Sequence, residues 1–421
     1  MLDINIIRTE PEMIRTMLIN RNKSTDILDT FLEADSEWRM LTSKNNELRK
    51  LRNEVSAQIA KAPKGPEKDA KIADMRETGE SIKENDARMA ELDIIRNDCV
   101  LNIPNIPHES VPVGKDSTEN VIIYEWGEKR IFDFTPKEHW EIGEDLDIID
   151  FERGTKVAGS GFYCLKGDGA RLERALINYF LDTHNKQGYT EIFPPIVVNT
   201  AAVTGTGQYP NLKDDMYHIE KEDLYLNPTA EVPLTNLLRD EILAKEDFPI
   251  LYAAYLPSFR REVGKHADTK GIIRVHEFNK VEMVRFVLPE TSYEVLEELR
   301  GDAEELIKAL KLPYHVLLLC TGDMGFSCSK CYDLEIHAPS KDAWLEVSSC
   351  SNFTDFQARR TKIKYRPEPH LKSEFIHTLN GSGLALPRVM VAILENFQNK
   401  DGTVNIPEVL RPYMGGQKII G

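Results

Sequence analysis

The sequence predicts an α+β fold in which a long antiparallel helical hairpin precedes a mixed domain of helices and strands. Between residues 26 and 101, apolar residues recur at intervals of three, four or seven, which is typical of long amphipathic helices. Several prolines near residues 105–120 indicate a linker. Beyond the linker, residues 259–282 have the pattern of two strands joined by a loop. With 421 residues, the chain has room for two or three domains.

The composition is that of a folded protein in a reducing compartment. Hydrophobic residues make up 41% of the chain and charged residues 29%. We expect a cytoplasmic protein without a membrane partner, because no basic N-terminal region precedes an apolar run and no window reaches the roughly 18 apolar residues of a span. Six scattered cysteines predict reduced thiols rather than a disulfide framework. The net charge of −16 excludes indiscriminate nucleic-acid binding, so any such contact needs a local basic surface.

The first 25 residues suggest a short strand followed by a helix. Ile4, Ile6 and Ile7 fit the strand. Pro11 stands at a helix start, and apolar residues follow it at helical spacing. We therefore expect a small structured segment before the hairpin.

The hairpin is expected to occupy about residues 26–101, with Asp26 as a plausible N-cap and a break at residues 62–66. At about 1.5 Å per residue, each helix of about 35 residues is about 50 Å long, so the hairpin should project. Basic residues outnumber acidic ones around the turn, which suits RNA phosphates. A solvated coiled coil or a dimerisation arm fits the same periodicity. The candidate RNA contacts are Lys44, Arg49, Lys50, Arg52 and Lys61.

The stretch that ends at Glu282 carries side chains suited to a nucleotide. Two short strands, joined by a loop of about a dozen residues rich in Gly and charge, would bring the guanidinium groups of Arg260 and Arg274 to phosphate oxygens. Even spacing would place Phe278 on one strand face with Arg274, His276 and Glu282, so that a purine could stack there. His276 is expected to position the loop rather than act as a base. A half-exposed hairpin with salt bridges is the alternative.

Two other segments are open to a functional and a structural interpretation. Thr229 follows a short strand and precedes an apolar-periodic segment, which is typical of a helix N-cap. The pair Cys328 and Cys331 suggests zinc, but no well-spaced second pair accompanies it, and we expect no zinc.

The stretch around Arg260 resembles the second signature motif of class II aminoacyl-tRNA synthetases, in the form found in seryl-tRNA synthetases. Two companion motifs are present: a Gly-aromatic strand ending in proline at residues 188–195, and a Gly-rich segment ending in arginine at residues 381–388. The resemblance covers essentially the whole chain. It implies a tRNA-binding domain over residues 1–110 and a class II catalytic domain, an antiparallel sheet flanked by helices, over residues 111–421.

The resemblance also implies an activity. A seryl-tRNA synthetase is a serine–tRNA ligase, which forms seryl-adenylate from L-serine and ATP with Mg²⁺ and transfers the seryl group to the 3′ end of tRNA(Ser), and of tRNA(Sec) where it is present. The family forms homodimers, and its N-terminal arm cradles the long variable arm of the tRNA. One alternative is a ligase that loads serine or another small amino acid onto a carrier protein, which should lack the basic hairpin. Another is a non-catalytic paralogue.

Individual roles follow from the same resemblance. The serine-binding residues are Thr229, Glu231, Glu282 and Ser382. The ATP-binding residues are Arg260, Glu262, Arg274, Val275, Phe278, Glu346, Val347, Ser348, Ser349 and Arg388. Arg260, Glu346 and Arg388 are the catalytic residues, because charge must be neutralised as the serine carboxylate attacks the α-phosphorus. Glu346 and Ser349 would hold Mg²⁺. A regular strand points these two side chains to opposite faces, so we expect an irregularity in the strand there. The alternative is that this segment is a surface loop without a metal role.

Overall fold

The structure is a computed structural model that describes residues 1–263 and 270–421. It contains two compact units, residues 2–104 and residues 105–421, the second of which includes Met1. Part of the loop predicted to be rich in Gly and charge, residues 264–269, lies outside the described residues. Within the described ranges, no helix combines the length and the apolar character that crossing a membrane requires.

The first unit is helical. Its long helices are antiparallel, because residues of one contact residues of the other in reverse order: Glu37 pairs with Arg88, and Arg49 with Asp86. Pro66 occupies the first turn of the second long helix, where its missing N–H costs nothing. The predicted helical arm is thus confirmed. The helices are α1 (Ile4–Thr9), α2 (Pro11–Asn20), α3 (Asp26–Lys61) and α4 (Pro66–Asn102).

A narrow seam holds α3 and α4 together. Leu41 and Leu92 are buried in it. The buried amide of Asn45 donates to Asp86 Oδ1 at 2.8 Å and accepts from Asn85 Nδ2 at 2.8 Å. A buried polar residue of this kind fixes the register of two packed helices, since sliding them would leave the amide unpaired.

The strand predicted at the N-terminus is wrong, because residues 4–9 form the helix α1. The Asp3 side chain accepts from the Asn5 N–H at 2.8 Å and thereby caps the first turn. Ile7 is fully buried, so packing outweighs the strand preference of the three isoleucines.

The second unit contains the remaining helices and all the strands of the described chain. Its helices are α5 (His139–Asp145), α6 (Phe151–Ala158), α7 (Gly167–Lys186), α8 (Thr200–Thr206), α9 (Glu231–Asn236), α10 (Ser292–Ala309), α11 (Phe356–Thr361) and α12 (Leu386–Phe397). Its strands are β1 (Val121–Trp126), β2 (Ile149–Asp150), β3 (Cys164–Leu165), β4 (Thr190–Glu191), β5 (Val197–Asn199), β6 (His218–Ile219), β7 (Leu224–Leu226), β8 (Ile242–Ala244), β9 (Ile250–Phe259), β10 (Glu277–Val287), β11 (Tyr314–Leu318), β12 (Lys330–Ala338), β13 (Ala343–Asn352), β14 (Lys364–Arg366), β15 (Glu374–Phe375), β16 (His377–Ala385), β17 (Val404–Asn405) and β18 (Ile419–Ile420).

A sheet of eight described strands forms the centre of this unit, in the order β1-β11-β12-β13-β16-β10-β9-β4. Every neighbouring pair is antiparallel except β4 and β9. The helices α7, α10 and α12 pack against this sheet, and their apolar side chains join its main core cluster. The predicted α+β class with an antiparallel sheet and flanking helices is confirmed.

Two strand predictions need correction. The strands around the nucleotide stretch are long rather than short, with ten residues in β9 and eleven in β10. They are joined by residues 260–276, so Arg274 and His276 precede β10 and do not lie on its face with Phe278. The strand predicted at residues 188–195 shrinks to β4, an edge strand, because the prolines that follow it have no N–H to donate.

Candidate functional site

A cavity of about 460 Å³ in the second unit collects most of the predicted site residues. Strands β10, β13 and β16 contribute to its wall, as do the first turn of α12 and residues 206–216, 272–275 and 325–328. Glu282 and Ser348 are buried behind this wall. The predicted residues that line the cavity are Thr229, Glu231, Arg260, Glu262, Arg274, Val275, Phe278, Glu346, Val347, Ser349, Ser382 and Arg388.

Two buried carboxylates lie together on one side of the cavity: Glu231 lines it, and Glu282 lies just behind the lining. The side-chain amide of Asn380 holds both: its Nδ2 lies 2.7 Å from Glu282 Oε1 and 3.3 Å from Glu231 Oε2. Gln357 Nε2 donates to Glu231 Oε1 at 2.6 Å. Burial, aided by the negative charge of Glu282, raises the pKa of Glu231 from its usual 4.5 to about 7. This environment favours a ligand that brings a cation or hydrogen-bond donors.

Lys280 is a functional candidate that the sequence analysis missed. It is buried and lines the cavity, and its Nζ lies 2.8 Å from Thr229 Oγ1 and 2.5 Å from Glu282 Oε2. Its charge offsets one of the two buried carboxylates, which would otherwise be costly to bury. The even spacing of Phe278, Lys280 and Glu282 along β10 is the signal that could have identified it.

Thr229 lines the cavity, but its predicted N-cap position is wrong by one residue, because α9 begins at Glu231 and Ala230 takes the N-cap position without a side-chain cap hydrogen bond. The Glu231 N–H, at the first residue of α9, nevertheless donates to Thr229 Oγ1 at 3.4 Å. The same hydroxyl accepts from Lys280 and lines the cavity. Its position at the helix start therefore also brings it to the site.

Arg260 follows β9 directly and lies over an aromatic ring. Its guanidinium carbon is 5.2 Å from the centroid of Phe278, and its Nε donates to the Pro228 carbonyl at 3.3 Å. The Arg260 N–H donates to the His276 carbonyl at 2.9 Å, and His276 Nδ1 lies 3.0 Å from the Arg260 carbonyl oxygen. His276 thus contacts the backbone of Arg260, which is the kind of contact that a positioning role requires.

Glu262 and Arg274 form an ion pair at the cavity wall, with Arg274 Nη1 2.6 Å from Glu262 Oε2. The backbone of Glu262 has a φ of +47°, in the left-handed region that non-glycine residues seldom adopt. Strain of this kind is concentrated at ligand sites, where surrounding contacts maintain it. The two residues therefore reach the cavity through loop geometry rather than through strand alternation.

The predicted irregularity in β13 is confirmed. Leu334 of β12 pairs with Ser348 but its neighbour Glu335 pairs with Glu346, so Val347 is an extra residue, a β-bulge. The bulge reverses the alternation and places Glu346 and Ser349 on one face, where both line the cavity. Ser348 points away from the cavity, and its hydroxyl donates to the Ser382 carbonyl at 2.6 Å.

Arg388 connects three walls of the cavity. Its Nη1 donates to the Glu346 carbonyl at 2.7 Å and lies 3.5 Å from Glu346 Oε2. Its Nε donates to the Ile273 carbonyl at 3.4 Å. Pro387 stands in the first turn of α12, where proline is accommodated without losing a helical hydrogen bond.

Of the cysteine pair, Cys328 lines the cavity and Cys331 lies on β12, and both thiols contact serine hydroxyls. Cys328 Sγ donates to Ser351 Oγ at 3.3 Å, and Cys331 Sγ lies 3.2 Å from Ser349 Oγ. Hydrogen bonding with Cys328 and burial raise the pKa of Cys331, which favours the neutral thiol. In the described ranges, no three His, Cys, Asp or Glu side chains are grouped so as to hold a metal ion.

The five candidate RNA contacts lie on α3, in the first unit, and all are exposed. Arg49 pairs with Asp86 across the hairpin at 2.9 Å. The arm therefore has an exposed basic stretch along this one long helix, formed with Lys44, Lys50, Arg52 and Lys61.

Two family models match the chain. The model described as "Seryl-tRNA synthetase N-terminal domain" matches residues 1–107. The model described as "tRNA synthetase class II core domain (G, H, P, S and T)" matches residues 216–397. The core match includes most of the residues around the cavity.

Full-length relatives agree with these matches. Proteins named serine–tRNA ligase from Methanosarcina barkeri and Roseiflexus sp. are 53% and 52% identical, and each alignment covers 100% of this chain and 99% of the relative. A crystal structure of seryl-tRNA synthetase from Pyrococcus horikoshii, complexed with ATP, has a TM-score of 0.96 at 40% identity, covering 100% of this chain and 99% of that one. The matches support neither the carrier-protein nor the non-catalytic alternative.

Proposed function

Because the chain belongs to the seryl-tRNA synthetase family, we propose that it is an ATP-dependent serine–tRNA ligase. It joins L-serine to AMP with release of pyrophosphate, then transfers the seryl group to the 3′ end of tRNA(Ser), and of tRNA(Sec) where that tRNA is present. The convergence of distant segments on one cavity carries this proposal: residues from the ranges 228–231, 260–262, 272–278, 346–351 and 380–388 contribute to its wall.

Serine binds at the carboxylate part of the cavity. Thr229, Glu231, Glu282 and Ser382 are the proposed contacts, with Glu282 acting from just behind the lining. Their buried oxygens accept from the ammonium and hydroxyl groups of serine. Alanine lacks the hydroxyl and would leave buried groups unpaired, while the small volume excludes larger side chains.

ATP binds along the arginine-lined part. Arg260 lies over Phe278 and contacts the α-phosphate, and Arg388 holds the bent nucleotide near the adenine or the γ-phosphate. These cations neutralise charge as the serine carboxylate approaches the α-phosphorus. Glu262, Val275 and Phe278 surround the adenine, and Arg274 reaches the terminal phosphates. Val347 is a further ATP contact. Ser348 supports the site indirectly, through the Ser382 carbonyl.

Glu346 and Ser349 are the proposed ligands of a Mg²⁺ ion that arrives with ATP. Both offer hard oxygen donors of the kind that Mg²⁺ prefers, and the bulge at Val347 turns both toward the cavity. When bound, the ion neutralises phosphate charge. The carboxylate of Glu346 is half-exposed, so it is accessible to the ion.

The arm and the catalytic unit have separate proposed functions. We assign residues 1–110 to tRNA binding and residues 111–421 to catalysis, and α3 to contact with tRNA phosphates through Lys44, Arg49, Lys50, Arg52 and Lys61. The proposed homodimer uses α7 and the segment around β4. Locally concentrated lysine and arginine suit a polyanion even though the whole chain is acidic.

Charging of transcribed tRNA(Ser) by the purified protein tests the complete activity. Radiolabelled serine should become acid-precipitable only when ATP, Mg²⁺ and tRNA(Ser) are all present. Transfer of serine to a carrier protein but not to tRNA would contradict the proposal.

A further inference from the structure

Helix α5 holds one wall of the cavity from outside. The wall consists of residues 272–275, all of which line the cavity and include Arg274. Their backbone is fixed by His139, the first residue of α5, which is 1% exposed and does not itself line the cavity. The Ile272 N–H donates to His139 Nε2 at 3.2 Å.

The hydrogen bonds around His139 define its state. Because Nε2 accepts from Ile272, the ring proton must be on Nδ1, which lies 3.1 Å from Glu395 Oε1. The His139 N–H donates to the same oxygen at 3.1 Å. The other oxygen of Glu395 accepts from the Ser340 hydroxyl at 2.7 Å. Glu395, on α12, is thus fully engaged in holding the histidine as an acceptor.

The residues just before Ile272 are shaped to fit α5. Gly271 has a φ of +79°, and a Cβ there would lie 1.9 Å from His139 Nε2, so only glycine permits this approach. The Nζ of Lys270 lies 3.7 Å from the ring centroid of Trp140, the next residue of α5. Two consecutive residues of α5 therefore contact three consecutive residues, 270–272, the last of which begins the wall.

We propose that His139 is a positioning residue for ATP. Through the Ile272 backbone it fixes Arg274 and the Ile273 carbonyl, which accepts a hydrogen bond from Arg388. This inference rests on the proposed function, since it deepens the role of the ATP side of the cavity. The serine side has its own support, because Asn380 and Gln357 hold its carboxylates. A loosened wall should therefore weaken ATP binding and leave serine binding unchanged.

Two substitutions of His139 separate the two hydrogen bonds of its ring. In His139→Gln, the side-chain oxygen reaches close to the Nε2 position and can still accept from Ile272. In His139→Asn, the shorter amide reaches only the Nδ1 position, so it keeps the contact with Glu395 and loses Ile272. In serine-dependent pyrophosphate exchange, His139→Asn should raise KM for ATP about tenfold, while His139→Gln stays within about threefold of the wild type. KM for serine should not change in either variant.

The proposal would be overturned if His139→Gln raised KM for ATP more than His139→Asn does, or if both raised it equally. It would also be overturned if KM for serine rose as much as KM for ATP. Gly271→Ala should raise KM for ATP in the same way, and a wild-type value would also overturn it. Circular dichroism of each variant shows whether it is folded. If the wild-type protein shows no serine-dependent exchange, the proposed function is refuted instead. The inference is then tested by titration calorimetry with ATP, in which His139→Asn must bind ATP more weakly than His139→Gln.

Discussion

At the scale of single residues, the cavity has two electrostatic environments. Arg260 and Arg388 supply cations where phosphates are proposed to bind. Glu231 and Glu282 supply carboxylates where serine is proposed to bind, and the buried ammonium of Lys280 pairs with Glu282. An amino acid and a nucleotide carry opposite charges at their recognised groups, so this division orients both ligands before reaction.

Arg260→Ala should abolish serine-dependent pyrophosphate exchange, reducing kcat by at least about a hundredfold, because the developing charge on the α-phosphate loses its cation. Arg261→Ala is the matched control: its guanidinium donates to the Asp214 carbonyl, outside the cavity. Stopped-time assays of labelled ATP formation measure both. Normal exchange by Arg260→Ala would remove the proposed phosphate contact.

Glu231→Gln should flatten the pH dependence of stability. The folded-state pKa of Glu231, about 7, lies above its usual 4.5, so burial favours the protonated form. Its contribution to the free energy of unfolding is complete below pH 4.5 and is lost as the pH rises through 7. Between these values, the wild type should lose about 2 to 4 kcal/mol more than the variant. Urea unfolding at a series of pH values measures this difference.

Glu173→Gln separates stability from function. Burial also raises the pKa of Glu173 to about 7, but this residue lies on α7, bonded to Asn279 and outside the cavity. Both variants should flatten the stability profile, whereas only Glu231→Gln should raise KM for serine, by about tenfold or more. Equal KM values in the two variants would contradict the proposed role of Glu231.

At the scale of elements, the structure shows which parts a sequence can predict. The hairpin of α3 and α4 was predictable because its periodicity, its proline break and its turn are local. The extent of β9 and β10 was not, because strand ends depend on partners that are distant along the chain. The bulge in β13 was expected only because the resemblance placed Glu346 and Ser349 in one site.

Residues that complete the site from other elements escaped prediction for the same reason. Asn380 and Gln357 reach Glu231 from β16 and α11, and no spacing within the sequence links them to it. Lys280 was accessible through strand alternation but was overlooked. The family motifs identified the residues proposed to touch ligands, and the fold revealed the residues that hold them.

Deleting residues 40–90, with a short Gly linker across the cut, should cripple tRNA charging and leave pyrophosphate exchange mostly intact. The remaining parts of α3 and α4 keep contacts with each other, including the buried Asp35–Arg96 ion pair at 3.0 Å and the Arg96 guanidinium over the Trp38 ring. Parallel exchange and charging assays on one preparation measure the difference. Equal loss of both activities would mean that the arm serves folding instead.

At the scale of the whole molecule, an acidic protein is proposed to bind an acidic partner. A net charge of −16 repels RNA at long range, so binding must depend on the exposed basic stretch of α3. Replacing Lys44, Lys50 and Arg52 by Gln should lower tRNA affinity and reduce the slope of log K against log salt by about one for each phosphate that is no longer neutralised. Filter binding over a salt series tests this, and an unchanged slope would place the tRNA-binding surface elsewhere.

The central claim is that one cavity selects serine while it binds ATP. Amino-acid-dependent pyrophosphate exchange, measured with the purified protein across all the standard amino acids, tests it most directly. We predict strong exchange with serine and at least about a hundredfold lower kcat/KM with alanine, threonine and cysteine. No exchange with serine, or a clear preference for another amino acid, would contradict the account.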